Sequence, residues 1–379
     1  MKYKNLIIKI APPVISSLAA LILLLVSWSS YGFSVWYARN VYPVMVQIFS
    51  RFFNIFPFSV FELGLVLIPG GLAALLLYFI YTCARCVVGF AKQQKCPDLT
   101  KAKKFFSVYG IVLLYFLSFL FTFFVLNAGI NYNRESFAVH VGITVQDSSV
   151  HELKQLYFIL VQRAHELSGQ IMTDEHGVFM ASADNWHSIA IEAMRELHNL
   201  HGGLVSFFPR PRAPVLSRIM SYMRIGGFFS AWTIEAHYNG EMPAHRIPFI
   251  MVHELAHTAG HMREDEANFI AYLAGRNSAH IDFNYSAVYD GIVYVLNALH
   301  RVVDHNTYAE LFSLLPDQLR RDMAANRAFW QQFEGPVSEM ANRANDAYLR
   351  ANRQADGVQS YGRMVDLMLA YYRDLGFLS

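Results

Sequence analysis

A short segment in the second half of the chain carries the residue types of a catalytic metal site. His253-Glu254-Leu255-Ala256-His257 has the pattern HExxH. Positions four apart on an α-helix share one face, so the two imidazoles can bind the same tetrahedral zinc ion. Glu254 can then take a proton from water on the metal while the zinc polarises a carbonyl group. The motif therefore predicts one Zn²⁺ per chain and hydrolytic chemistry.

A catalytic zinc site needs a third protein ligand, and the residues after the motif supply candidates. Gly260 can end the first helix, and the sequence EDEAN, which begins at Glu264, can start a second one. We expect Glu264 to be the third ligand, with Glu266 and His261 as the alternatives. A histidine ligand in the pattern HExxHxxGxxH is excluded, because Arg263 occupies its position and does not bind cations.

HExxH followed by E-x-x-A-N on a second helix resembles the gluzincin metallopeptidases. The resemblance implies that Glu264 is a zinc ligand and that Asn268 supports a zinc-bound histidine through a hydrogen bond. Two features differ from the family pattern. The segment between His257 and Glu264 is shorter than in most gluzincins, and Asn268 stands where an aspartate is usual. An asparagine can still accept the imidazole N–H bond, but it gives the ring less negative charge.

The whole chain also resembles a family in its arrangement of segments. Its apolar first part, the sequence GINYNR at residues 129–134 and the HELAH and EDEANF motifs are similar to a bacterial three-span membrane protein family of unknown function with zinc-peptidase motifs. This resemblance covers most of the chain. It implies a location in the bacterial cell membrane, and it implies no particular substrate.

The elements that must hold these residues belong to two physically different parts. Of the 379 residues, 54% are hydrophobic and 16% are charged, whereas soluble proteins carry roughly 25% charged residues. Residues 1–129 contain eleven Lys or Arg and two acidic residues. Residues 130–379 contain twenty Lys or Arg and twenty-seven acidic residues. A wholly soluble protein is therefore excluded. The low cysteine count excludes a disulfide-built fold, and the acidic second part excludes a nucleic-acid partner.

Three apolar segments predict transmembrane helices, at about residues 11–33, 63–84 and 105–128. The first is longer than the roughly 7–15 apolar residues of a signal peptide, and no cleavage site follows it. Lysine and arginine are concentrated before the first segment and in the loop of residues 85–104, which predicts that the N-terminus and this loop are cytoplasmic. Three spans then place the second part outside the cytoplasm, in a protein whose partner is the lipid bilayer. Cys83 and Cys86, near that loop, predict an acylated or inert pair rather than a metal site.

The spacing of apolar residues predicts a mainly α fold, in which a membrane domain (residues 1–129) precedes one compact helical, gluzincin-like domain (residues 130–379). Residues 226–238, GGFFSAWTIEAHY, instead predict a strand or hairpin that forms a small β edge. Zinc peptidases commonly align an extended substrate along such an edge. Glu235 and His237 are therefore candidates for contacting the substrate.

Hydrolysis of a peptide bond also needs a group that stabilises the negative charge that develops on the carbonyl oxygen. Histidine and tyrosine side chains can do this by donating a hydrogen bond. The candidates after the second helix are His280, Tyr285 and Tyr289.

The predicted function is that of a membrane-anchored zinc metallopeptidase, which hydrolyses peptide bonds of an extracytoplasmic peptide or protein by Glu254-assisted attack of a zinc-bound water. The alternative is a catalytically inactive zinc-binding sensor or binding protein, although a structural zinc site has no need of Glu254 as a base. Intramembrane proteolysis is disfavoured, because His253 and Glu264 lie in a charge-rich segment outside the predicted spans. A transporter is disfavoured, because only Glu62 lies at a membrane edge.

Overall fold

The structure of the protein is a computed structural model that describes residues 2–91 and 99–378. The described chain is mainly helical and contains one two-stranded sheet. Residues 92–98 of the predicted cytoplasmic loop and the side chain of Cys86 lie outside the described residues.

The first part of the chain contains three helices that are long and apolar enough to cross a membrane, at Ile7–Ser29, Val60–Gly89 and Phe106–Asn133. They confirm the mainly α class with three candidate spans. The first span ends before residue 33, because the backbone of Ser30 is extended. The Ser30 hydroxyl accepts the Phe33 N–H and so caps the start of the next helix. The helices of this part are α1 (Lys2–Ser29), α2 (Tyr31–Asn40), α3 (Tyr42–Met45), α4 (Arg51–Asn54), α5 (Val60–Ala91) and α6 (Leu99–Phe124).

The segment between the first two spans is helical and packs against the second part of the chain, which the sequence did not predict. Tyr42 Oη donates to Thr258 O at 3.0 Å, and Ser50 Oγ donates to Ile234 O at 3.0 Å. The same hydrophobic core contains Tyr42 and, from the HExxH helix, Leu255. The division of the chain at residues 129 and 130 stays a prediction, and these contacts cross it.

The second part follows the predicted helices closely. The helical pattern predicted over residues 318–350, with breaks allowed, forms two helices, which the extended Gly335 and then Pro336 separate. The helices are α7 (Phe137–Val141), α8 (Val150–Ser168), α9 (Trp186–His201), α10 (Ser217–Tyr222), α11 (Ile247–Thr258), α12 (Glu264–Asn277), α13 (Ile281–Leu299), α14 (His305–Ser313), α15 (Asp317–Gln331), α16 (Pro336–Ala351) and α17 (Met364–Asp374).

Residues 226–238 form an antiparallel hairpin, as predicted. Its strands are β1 (Gly227–Ser230) and β2 (Glu235–Tyr238). The HExxH helix α11 lies at the centre of the second part, where it packs against α9, α12, α13 and both strands. Almost every residue of α11 is buried, so the fold holds the motif rigidly on several sides.

Candidate metal centre

Three potential metal ligands converge between α11 and α12. One donor atom from each of His253, His257 and Glu264 lies within 4.8 Å of the other two. Glu264 Oε2 lies 3.2 Å from His253 Nε2 and 3.6 Å from His257 Nε2. This oxygen is buried and has no hydrogen bond of good geometry to any described residue. The two imidazole nitrogens and the carboxylate oxygen therefore fit a single metal ion with three protein ligands.

A tight turn brings α12 back against α11. Gly260 ends the first helix, as predicted, in a left-handed conformation with φ of 89°. The His261 N–H then donates to Ala256 O at 3.1 Å and closes the turn. Glu264 is the first residue of α12, where the positive end of the helix dipole stabilises a carboxylate. The short segment after His257 is thus sufficient to bring this carboxylate to the two histidines.

The histidine rings are oriented by neighbouring groups. His257 Nδ1 donates to His261 O at 2.7 Å, which leaves Nε2 free for a metal. Asn268 lies beside His253, where the resemblance to gluzincins puts it. Its amide nitrogen donates to Tyr294 Oη at 3.0 Å, and His253 Nδ1 has no well-formed hydrogen bond to a described residue. The support of His253 by Asn268 therefore stays a prediction.

The charges of the ligands depend on one another. Burial would raise the pKa of Glu264, but the close approach of the His257 and His253 imidazoles to its carboxylate outweighs burial and lowers this pKa. Burial would lower the pKa of His257, but the Glu264 carboxylate outweighs it and raises that pKa. The cluster therefore binds positive charge, whether a proton or a metal ion.

Glu254 lies beside the three ligands, and only 3% of it is exposed. Its Oε2 atom has no hydrogen-bond partner among the described residues, and burial raises its pKa to about 8. Strand β1 passes directly over it, since a Cβ atom on Gly227 would lie 2.5 Å from Glu254 Oε1. Glycine at this position permits that close approach.

The two alternative third ligands are turned away from this cluster. Glu266 Oε2 lies 3.3 Å from His261 Nδ1, and the other nitrogen of His261 lies 3.2 Å from Gly203 O. His261 is completely buried. The structure thus brings Glu264 to the HExxH histidines and pairs Glu266 with His261 instead.

A cavity of about 1160 Å³ opens next to the metal ligands, and its walls come from distant parts of the chain. Four tyrosines that the sequence did not single out line it: Tyr132, Tyr294, Tyr348 and Tyr361. Tyr132 Oη donates to Tyr348 Oη at 3.0 Å. Tyr361 lies close enough to Glu264 and Glu254 for their carboxylates to raise its pKa, although burial is the larger cause. No sequence pattern links these tyrosines to the motif, because Tyr132 lies at the end of the third candidate span and the other three follow α12 on separate segments.

Strand β1 forms one wall of the cavity with a free edge. The Asn239 N–H donates to Gly226 O, which sets the hydrogen-bonding pattern of the hairpin. In this register the N–H and C=O groups of Gly227 and Phe229 point away from β2. They form no hydrogen bond to the described residues. The outer side of β2, in contrast, is covered, since the Arg212 N–H donates to Ala236 O at 2.9 Å.

The structure does not bring Glu235 and His237 to the cavity. The Glu235 carboxylate accepts the N–H groups of Val60 and Phe61 at the start of α5, so it caps the second span. His237 is stacked on Phe228, with ring centroids 4.4 Å apart. Because β2 is covered on both faces and all four of its residues are buried, its polar residues serve the packing of the hairpin on the spans.

The three predicted oxyanion candidates also lie away from the metal ligands. His280 caps α13 by accepting the Asp282 N–H at 3.3 Å. Tyr285 Oη donates to Asp322 Oδ2 at 2.5 Å, and the Tyr289 ring packs 4.5 Å from the His245 ring. Both tyrosines are fully buried on α13, and these contacts hold α13 to its neighbours.

Comparisons with known proteins agree with this arrangement only at the level of a family. No curated protein and no solved structure matches the chain. The family model described as "Protein of unknown function (DUF3810)" matches residues 37–369, which span the candidate metal centre, two of the three candidate spans and the walls of the cavity. The chain therefore belongs to the DUF3810 family of proteins of unknown function.

Proposed function

We propose that this protein is a membrane-anchored zinc metallopeptidase. The observation that carries the proposal is the convergence of the His253, His257 and Glu264 donor atoms beside an open cavity, with the Glu254 carboxylate next to them. Two imidazoles and one carboxylate are a donor set of catalytic zinc sites, which keep a further position for water or substrate. A purely structural zinc site is normally closed by four protein ligands.

The residues around the ligands suit hydrolysis of a peptide bond. Zinc, when bound, would supply a Lewis acid that polarises the carbonyl group of the substrate. Glu254 would accept the proton of the attacking water and deliver it to the leaving amine. Burial raises the pKa of Glu254, so the deprotonated carboxylate that acts as the base has a higher proton affinity than an exposed one. A hydroxyl of the cavity, with Tyr361 the foremost candidate, would donate a hydrogen bond to the carbonyl oxygen.

The free edge of β1 would hold the substrate in an extended conformation. The outward N–H and C=O groups of Gly227 and Phe229 offer the hydrogen bonds of one added strand. Because Gly227 lies against Glu254, a peptide paired with this edge would pass the metal ligands. The peptide or protein substrate would bind on the side of the membrane that holds residues 134–378, which the distribution of lysine and arginine predicts to be extracytoplasmic.

The proposal is tested with the full-length protein in liposomes, loaded with zinc and incubated with a library of randomised peptides. Mass spectrometry identifies new peptide ends. We expect wild-type protein to cleave peptides and Glu254→Gln to keep its zinc but lose cleavage by about 10²–10⁴-fold, the usual effect of removing a general base. The matched variant Glu266→Gln removes a nearby carboxylate and should retain cleavage. A Glu254→Gln protein with full activity would refute the mechanism, and bound zinc with no cleavage would favour the sensor alternative.

A further inference from the structure

The cavity beside the metal ligands has a membrane helix as one of its walls. Phe124, Ala128 and Tyr132 follow one another on successive turns and line the same cavity as His253 and Glu264. All three belong to the third candidate span, Phe106–Asn133. The metal centre therefore borders the end of a helix that crosses the bilayer, rather than lying in a domain held away from the membrane.

The hairpin that carries the free edge is fastened to the spans by its turn. Trp232 Nε1 donates to Leu120 O in the third span at 3.0 Å, and the ring of Trp232 stacks on Phe61 at the start of the second. Asn127 Nδ2 donates to Ala231 O at 2.7 Å. Tryptophan is enriched where a membrane meets water. The turn of the hairpin is thus held directly against the second and third candidate spans.

The free edge of β1 leads from the membrane to the metal centre. Its far end, Gly227, contacts Glu254, and its near end continues into the turn at Ala231. Four residues of a β-strand cover about 13 Å. A polypeptide that leaves the bilayer beside the third span and pairs with this edge would reach Glu254 after about four residues.

Two exposed apolar ridges, one at Val215 and Ile219 and one on α16, lie on segments whose neighbouring residues line the cavity. On the first ridge, Val215 is 92% exposed and Ile219 52%, and the N–H of Val215 donates to Glu62 at the start of the second span. The second ridge lies on α16, where Met340 is 67% exposed. Just after this helix, Arg353 Nη1 donates to Trp28 O of the first span at 3.2 Å.

Such ridges are costly in water and favourable in the headgroup region of a bilayer. They extend the membrane-facing surface to both sides of the cavity. From these observations we infer that the substrate is itself a membrane-anchored polypeptide, which the protein cuts within the first few residues outside the bilayer. The inference rests on the proposed peptidase function and adds the class of its substrate.

The test uses one randomised cassette in three settings, with the full-length protein in zinc-loaded proteoliposomes. The cassette is placed about four residues from a single-span anchor, about thirty residues from the same anchor behind a Gly/Ser spacer, or in a free peptide. The anchored cassettes lie on the same side of the vesicle membrane as residues 134–378. We expect the near cassette to be cut at least about tenfold faster than the distant one, since a long spacer dilutes it away from the membrane surface.

Each outcome of this test decides a different point. If the distant and free cassettes are cut as fast as the near one, and Glu254→Gln abolishes the cleavage, the peptidase function stands and the inference is wrong. If no cassette is cut in a Glu254-dependent way, the proposed function fails and the inference fails with it.

A second measurement tests the membrane contact without relying on activity. Ile219→Cys and Met340→Cys are labelled with a fluorophore in a chain whose own cysteines are replaced by serine, and the vesicles contain lipids with a quencher near the headgroup. Val302→Cys is the control, because Val302 is exposed and follows α13, which packs against α8, α11, α12 and α17. We expect severalfold stronger quenching at both ridge positions than at the control. Equal quenching at all three positions would overturn the inference.

Discussion

Two buried histidine–glutamate pairs lie side by side on the same two helices and the turn between them, yet only one of them faces the cavity. His257 and Glu264 line the cavity, together with His253. His261 and Glu266, a few residues away, point into the protein. The first pair leaves Glu264 Oε2 without a well-formed hydrogen bond. In the second pair, each nitrogen of His261 lies within 3.3 Å of an oxygen, and the neutral ring donates to one of these two, Glu266 Oε2 or Gly203 O.

This difference separates a pair that is open to a ligand from a pair that is bonded within the protein. A buried polar atom without a hydrogen bond costs free energy, so Glu264 Oε2, which faces the cavity, would be stabilised by a bound cation. His261 and Glu266 instead belong to a network in which Arg134 donates to Ala259 O at 3.0 Å and to Gly203 O. The inner pair thus contributes to the packing of the turn between α11 and α12.

A large effect on the cavity-facing pair is expected from a change in β1, next to Glu254. Gly227→Ala puts a Cβ atom 2.5 Å from Glu254 Oε1 and must displace that carboxylate. A shift of about 1 Å in a catalytic group can cost about 10²-fold in rate. We therefore expect about this loss of peptide cleavage with zinc content unchanged, measured by the library assay.

Gly226→Ala is the matched control for this change. Its Cβ atom would meet Ile250 Cδ1 at 3.5 Å, an ordinary contact, so cleavage should change little. Equal losses in the two variants would show that the strand, and not the approach to Glu254, is responsible.

A smaller effect is expected from breaking the inner pair. His261→Ala leaves the Glu266 carboxylate and Gly203 O without this partner in a buried site. The free energy of unfolding should fall by about 1–3 kcal/mol, the usual cost of unsatisfied buried groups. Thermal unfolding of the zinc-free protein in detergent measures this loss of stability.

His253→Ala is the comparison for this measurement, because His253 Nδ1 already lacks a well-formed hydrogen bond to a described residue. It should destabilise the zinc-free protein less than His261→Ala does, although it removes a metal ligand. A reversed order would contradict the assignment of the two pairs.

The third expected effect is the release of a proton when zinc binds. The pH dependence of zinc affinity should reflect the outer pair, His257 and Glu264, and not the inner pair. Because Glu264 raises the pKa of His257 to about 9, this imidazole is protonated at neutral pH in the zinc-free protein. A metal binds only the neutral form, so binding should release about one proton. The apparent affinity should then rise as the pH increases towards that pKa.

The inner pair contributes no proton in this range. Burial lowers the pKa of His261 to about 4, so this ring is already neutral at pH 7. Calorimetric titration with zinc in buffers of different ionisation enthalpy counts the released protons. Binding without proton release would contradict the coupling between His257 and Glu264.

The sequence could predict the parts of the centre that obey local rules. The HExxH spacing, the glycine turn at Gly260 and the helix start at Glu264 depend on residues within a few turns of one another. The outer pair and the hairpin could therefore be located before the structure was seen. The sequence favoured Glu264 over Glu266 through the resemblance to gluzincins. Local rules do not separate the two, because both lie in the first turn of α12 and packing decides which one faces α11.

Contacts between distant segments could not be predicted in this way. Glu235 was expected at the substrate because it lies in the predicted β edge. Its carboxylate instead accepts the N–H groups of Val60 and Phe61, which have no partner within α5. Tyr132 and Tyr361 reach the cavity through the packing of the third span and of the segment before α17. No periodic pattern records such packing, which depends on the whole fold.

The most direct test of the account is the metal content of the detergent-purified full-length protein after reconstitution with zinc and dialysis. Wild-type protein and Glu266→Ala should each hold about one zinc per chain, while Glu264→Ala should lose it, since an open site needs its three protein ligands. Elemental analysis measures all three proteins under the same conditions. A wild-type protein without zinc, or equal zinc in Glu264→Ala and Glu266→Ala, would contradict the assignment of the metal centre.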